Sequence, residues 1–214
     1  MSDREVEVKG VVDDPAALVV RLGSCGATRE FRGRMSDRRY DLPSHPLERR
    51  DQVLRVRTFA PAAGSPGRLA EVAWKGPTGQ HRGYKEREEV QFTVDESGPV
   101  EAILAHLGLA VIDTVDRCVE FYHLGGAVLR LEWYPRMDVL LEVEGTPAAI
   151  EEAAAASGVP RAGFTSDRLI DFAARFERRT GRAPALNLAG LGGQRPAWPE
   201  WALPATGVAG DADS

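Results

Sequence analysis

The 214 residues, 43% hydrophobic and 28% charged with a net charge of -5, suffice for one domain with a real core and carry no overall basic surface for nucleic acid. No apolar run approaches the roughly 18 residues of a membrane span, and the opening segment is acidic and unlike a signal sequence, so a cytoplasmic protein with no membrane partner is expected. Cys25 and Cys118 form no CxxC pair, which argues against a disulfide framework or a thiolate zinc site and leaves two buried small side chains as the expectation.

In chain order, a strand is expected from Glu5 to Val12, followed by a helix that Asp14 and Pro15 open and the glycines at 23 and 26 close. Strands follow over Thr28 to Arg34, running on towards Tyr40, then Val53 to Phe59, Leu69 to Lys75 and Glu86 to Val94, because apolar and charged residues alternate there with period two. The segments AAGSPG (62–67) and GPTGQHRG (76–83) read as turns. Ser97, Gly98 and Pro99 open a second helix that ends at Gly108; strands over Asp116 to His123, Ala127 to Tyr134 and Val139 to Glu144 come next. Thr146 and Pro147 start a third helix closed by Gly158, and a fourth from Ser166 carries Leu169, Ile170, Ala173 and Phe176 on one face up to Gly181. Residues 1–182 are expected to form one domain and 183–214 an irregular Ala/Gly/Pro-rich tail, held by Trp198 and Trp201, with GLGG (190–193) as linker.

What alternates on the strands is unusual. One face carries Val6, Val8, Leu54, Val56, Val72, Trp74, Val90, Phe92, Leu129, Leu131, Trp133, Leu141 and Val143, which reads as core under helices. The other carries Glu5, Glu7, Lys9, Arg55, Arg57, Glu71, Lys75, Arg87, Glu89, Gln91, Arg117, Arg130, Glu132, Glu142 and Glu144. If eight such strands close, the charged faces line the interior. Unpaired charges buried in a dry interior are too costly to keep, so the lumen must hold water, metal ions or a highly charged ligand. Two ExE pairs supply hard oxygen donors suited to Mg²⁺ or Mn²⁺, while the interleaved Lys and Arg suit a polyanion such as a phosphate chain.

These motifs resemble the CYTH domains, or triphosphate tunnel metalloenzymes, which include class IV adenylyl cyclases, thiamine triphosphatases and inorganic triphosphatases. The resemblance rests on EVEVK at 5–9, then Asp37, Tyr40 and Asp41 in SDRRYDLP, LRVR at 54–57, WKGP at 74–77, the R-x-E at 87–89 and the final ExE at 142–144, in family order from residue 5 to about 175. It implies an α+β fold with an eight-stranded antiparallel β-barrel and helices packed outside. It also implies metal binding by Glu5, Glu7, Glu142 and Glu144, with Glu132 where the family often has Asp. Triphosphate binding falls to Lys9, Arg55, Arg57, Lys75 and Arg87, joined by Arg130 and by Arg117, although Asp116 could take the Arg117 place. VDRCVEFY, YPRMD and SDRL depart from the family pattern, which bears on the reaction rather than on the barrel.

The reading that follows is a Mg²⁺- or Mn²⁺-dependent enzyme acting on ATP, thiamine triphosphate or tripolyphosphate, with Glu7, Lys9 and Glu144 as catalytic candidates. KEREEVQFTV and the helix ending in LGL resemble the class IV cyclases, so conversion of ATP to cyclic AMP and pyrophosphate leads, hydrolysis of a triphosphate is the alternative, and non-catalytic nucleotide or polyphosphate binding is the third. Cyclase relatives suggest a homodimer. His45, His81, His106 and His123 lack metal-ligand spacing and read as structural, and neither a P-loop nor a nucleophile elbow is present.

Overall fold

The computed structural model describes residues 3–81 and 83–203, so the expected tail beyond Leu203 and the side chain of His81 lie outside the described residues. Its strands are β1 (Asp3–Val11), β2 (Thr28–Asp41), β3 (Val53–Pro61), β4 (Ala70–Lys75), β5 (Gly79–His81), β6 (Tyr84–Val94), β7 (Ala110–Leu124), β8 (Ala127–Trp133), β9 (Leu140–Glu144) and β10 (Phe164–Thr165). The helices are α1 (Pro15–Ser24), α2 (Gly98–His106), α3 (Pro147–Ser157) and α4 (Leu169–Thr180). Eight of the strands run antiparallel in the order β1-β9-β8-β7-β2-β3-β4-β6, and β6 pairs back on β1 from Asp3↔Glu89 to Glu7↔Lys85 to close the barrel. The short β5 and β10 lie outside that ring, on β6 and β1.

Alternation sets the core. The outward residues Val8, Leu129, Leu131, Leu141 and Val143 are buried under α1 (Leu18, Leu22) and α3 (Ile150, Ala153, Ala154). Both helices begin as their sequences require: Asp14 accepts from the Ala17 backbone N–H at 2.9 Å, and Thr146 from that of Ala149 at 3.3 Å. Helix α2 covers Leu54 and Val56 of β3 through Val100 and Leu104. Cys118 is buried in the main core, whereas Cys25 is exposed, contrary to expectation.

Other details also differ from the sequence reading. Val90 and Phe92 are 47% and 53% exposed rather than buried under helices. The segment GPTGQHRG is more than a turn, since Gly79–His81 pairs with β6. GLGG includes the end of an ordered 3-10 turn, Ala189–Leu191, with Leu191 buried. On α4 the buried set is Phe172, Ala173 and Phe176, and Ile170 is turned out at 61% exposure. From Ala183 to Leu203 the chain is laid along the barrel: Ala185 bridges to Arg136, the Leu186 carbonyl accepts from Asp116 N–H at 2.8 Å, and Trp201 stacks edge-on against Trp133 at 6.0 Å.

Not all of the lumen is charged. At one end Phe31, Phe59 and Phe121 pack edge to face with centroids 5.5–6.3 Å apart, joined by Met35 and Val119. Gly33 makes room for them, because a Cβ there would sit 2.4 Å from the Ala60 carbonyl oxygen and 2.6 Å from the Phe31 ring. The remainder of the lumen holds the charges.

Candidate functional site

The register brings the two acidic motifs side by side. In the β1–β9 pair Glu7 faces Glu144 and Lys9 faces Glu142, while on the other side of β1 Glu5 faces Arg87 and Glu7 faces Lys85. Strands β3 and β4 add Arg55 and Lys75, β7 adds Arg117 and β8 adds Arg130. A cavity of about 580 Å³ is lined by Glu5, Glu7, Lys9, Arg55, Lys75, Arg87, Arg117, Arg130 and Glu142 among others. Of the expected site residues, Arg57, Glu132 and Glu144 do not line it.

Arg57 and Glu132 belong instead to a buried ion-pair layer. Asp37 accepts from Arg57 at 2.6 Å and also holds Arg117, and Arg57 reaches Glu71 at 3.1 Å. Glu132, fully buried, accepts from the Tyr134 hydroxyl at 2.6 Å and from Arg130 at 2.7 Å, and lies 3.4 Å from Arg117. Burial opposes ionisation of Glu132, but Arg117 and Arg130 outweigh it and hold the carboxyl at about 2. Arg117, not Asp116, points inward; Asp116 faces out and accepts from Ser36 at 2.8 Å and from Leu188 N–H at 2.9 Å.

The lumen is electrically divided. Burial lowers the affinity of Lys9, Arg117 and Arg130 for their protons, yet neighbouring carboxylates more than reverse this, and all three end above their ordinary values. Lys9, for instance, sits 2.5 Å from Glu142 and 2.7 Å from Glu7. The opposite holds on the β3–β4–β6 wall. Arg55 is lowered by burial and by Arg57, Lys75 by burial and by Arg55, and Arg87 chiefly by burial. Arg87 donates to the carbonyls of Gly76 and Asp51, each at 2.7 Å, and pairs with no carboxylate among the described residues. Arg55 has only a 3.4 Å approach to Glu89. Lys75, by contrast, is paired with Glu5 and lies 3.3 Å from Glu89.

Beside that wall, β1 and β9 carry four carboxylates. Glu5 is paired with Lys75, Glu7 with Lys9 and with Lys85 at 2.5 Å, and Glu142 with Lys9 and Arg130. Glu144 has no hydrogen bond or ion pair among the described residues; burial and the proximity of Glu5 and Glu142 push it up to about 7. Among the described residues no three His, Cys, Asp or Glu side chains are arranged as a metal shell.

Neither a protein-family model nor a curated protein matches the sequence. Solved structures do match the fold. A Vibrio parahaemolyticus protein provisionally named an adenylate cyclase superposes with a TM-score of 0.68 at 15% identity, covering 80% of this chain and 98% of that one. A Pyrococcus horikoshii protein gives 0.62 at 21% identity, over 78% and 96%. A Hippeastrum protein, provisionally named an adenylyl cyclase and described as having a dominant triphosphatase activity, gives 0.56 at 15%, over 87% and 99%. The fold is shared with these proteins: a closed eight-stranded antiparallel barrel with helices outside, the architecture that the CYTH resemblance implies.

Within this tunnel, Lys85 is the inward residue that sequence reasoning passed over. It is two residues before Arg87 on the same face, and starting the strand at Glu86 cut it off. Tyr134 and Asp51 were also missed, since each works through a hydroxyl or a backbone carbonyl that alternation does not reveal.

Proposed function

We propose that this chain is a divalent-metal-dependent phosphoryl-transfer enzyme that takes a triphosphate into the tunnel. The observation that carries the reading is one cavity whose lining sets Arg55 and Arg87, cations with little or no carboxylate contact, beside the carboxylates Glu5, Glu7 and Glu142, of which Glu142 lies two residues from the unpaired Glu144 on β9. A polyanion relieves the first and a cation the second. Glu5, Glu7, Glu142 and Glu144 fit Mg²⁺ or Mn²⁺ by donor chemistry, and the unpartnered Glu144 is the observation that favours a cation there. A divalent ion so held supplies charge neutralisation and Lewis acidity towards phosphate oxygens.

The chain's own side chains do the positioning that phosphoryl transfer requires. Arg55, Lys75 and Arg87 grip phosphate oxygens, and Lys9, Arg117 and Arg130 extend the grip on the opposite side. Asp37 and Glu132 fix Arg57, Arg117 and Arg130 from behind. Glu7, Lys9 and Glu144, adjacent in the β1–β9 register, act at the reacting phosphate.

In finer detail we favour an adenylyl cyclase-like reaction, ATP to cyclic AMP and pyrophosphate. Triphosphate hydrolysis is the second reading, favoured by the activity described for the Hippeastrum neighbour. Incubation with ATP, thiamine triphosphate and tripolyphosphate, each with Mg²⁺ or Mn²⁺, separates them: cyclic AMP marks the first, phosphate release the second, and binding without product a non-catalytic module. Because Glu144 has no partner to lose, Glu144→Gln is expected to fold and to abolish metal-dependent turnover. Full turnover in that variant refutes the metal assignment.

A further inference from the structure

Among the described residues, Asp51 and His45 are the non-glycine positions with a positive φ, and Asp51 ends the 3-10 turn Glu48–Arg50 at φ 52° and ψ 37°. Apart from glycine, Asn and Asp tolerate that left-handed conformation best. Every polar group of Asp51 is engaged. Its N–H donates to the Glu48 carbonyl at 2.9 Å, its carbonyl accepts from Arg87 Nη2 at 2.7 Å, and its carboxylate accepts from the Thr78 N–H at 2.6 Å. Gly76, two residues before Thr78, supplies the second acceptor of Arg87, 2.7 Å from Nε. One residue thereby sets both carbonyls that hold Arg87: its own through the left-handed backbone, and that of Gly76 through the bond to Thr78. Arg87 is 8% exposed, lines the cavity and has no hydrogen bond at Nη1 among the described residues, so the hold on Nε and Nη2 decides where Nη1 is presented.

We infer that Asp51 is the positioning residue for Arg87, fixing its guanidinium so that Nη1 meets an anionic oxygen in the cavity. The inference rests on the triphosphate reading above and deepens it. Two carbonyls hold a guanidinium without neutralising it, whereas a carboxylate would hold it and also cancel its pull on phosphate. The Asp51 carboxylate also approaches Arg168 at 3.8 Å, and Arg168 lines the same cavity, so the test separates the two arginines.

The test uses the full chain as wild type, Asp51→Gly and Asp51→Asn. Glycine keeps the left-handed backbone and deletes the bond to Thr78; asparagine keeps both the backbone preference and an oxygen for the Thr78 N–H. In the ligand-free protein, the NMR signal of the Arg87 Nε–H is assigned by its loss in Arg87→Lys. Its exchange with water is expected to be roughly tenfold faster in Asp51→Gly and of wild-type rate in Asp51→Asn, with the Arg57 Nε–H unchanged in both. In calorimetric titration with tripolyphosphate in EDTA, Asp51→Gly is expected to weaken binding roughly threefold to tenfold. Asp51→Asn restores the affinity, and the same loss recurs when Asp51→Gly is made in Arg168→Ala. Unchanged Arg87 exchange in Asp51→Gly, equal acceleration at Arg57, an Asp51→Asn as impaired as the glycine variant, unchanged affinity in Asp51→Gly, or a loss that vanishes in Arg168→Ala would each overturn the inference and leave the triphosphate reading in place. A wild type that binds no tripolyphosphate overturns the triphosphate reading, and the exchange rates then decide by themselves whether Asp51 holds Arg87.

Discussion

Asp37 is 5% exposed and holds Arg57 and Arg117, so its carboxylate fixes one guanidinium group in the cavity lining and one behind it. Burial alone would raise its pKa; Arg57 and then Arg117 reverse that and hold it well below the usual carboxylate range. A depressed folded pKa gives stability that is fully present above the unfolded value near 3.8 and is lost only as pH falls through the folded one. Asp37→Asn, which removes one of the two carboxylates held by each of Arg57 and Arg117 and leaves them Glu71 and Glu132, is therefore expected to cost about 1.5–3 kcal/mol in denaturant unfolding near neutral pH. That loss should stay constant on acidification to about pH 4 and shrink only below it. At this scale most of the tunnel's charges were legible in the sequence, because an inward charge repeats every second residue on β1, β3, β8 and β9. Whether a given charge faces the cavity or is locked behind it, as Arg57 and Glu132 are, depends on partners from other strands and was not legible.

Among elements, β2 and β7 show where alternation misleads. Inward positions on β7 are Val115, Arg117, Val119 and Phe121, one charge among apolar residues, while Asp116 and Glu120 point outward, so the pattern reads ambiguously. The apolar packing that results fills one end of the lumen and depends on Gly33. Gly33→Ala is expected to lower the thermal midpoint, with a cost on the order of 1–3 kcal/mol for overpacking, because the neighbour it meets at 2.4 Å is backbone oxygen, which cannot swing aside. Helices α1, α2 and α3 were readable from their opening prolines and α3 and α4 from the closing Gly158 and Gly181, but α4 starts at Leu169 behind Arg168 and not at Ser166. Ile170 was not placed correctly, since the buried face of α4 follows 169, 172, 173 and 176 and leaves 170 beside the cavity mouth. The segment after Ala183 lacks periodicity, and its docking through backbone hydrogen bonds to Asp116 and Arg136 has no signature in side-chain pattern.

At the scale of the whole molecule, barrel closure gives EVEVK its context. The β1–β9 register sets Glu7 against Glu144 and Lys9 against Glu142, and closure through β6 brings Arg87 and Lys85 to the other side of the same strand. The sequence separation of these partners hides the arrangement until a fold supplies it. The outcome is a chain of net charge -5 that concentrates under-compensated cations at one wall of an internal cavity and should bind a compact polyanion there while repelling polyanions elsewhere. Arg87 tests this most directly, because its guanidinium is held by two carbonyls and its removal strands no carboxylate. Titration of the wild-type chain with tripolyphosphate should give one bound ligand per chain, and Arg87→Ala should weaken it by tenfold or more, the effect of losing about 1.5–3 kcal/mol of charge-assisted hydrogen bonding. Absence of binding to the wild type, or binding of equal strength in Arg87→Ala, would contradict the account.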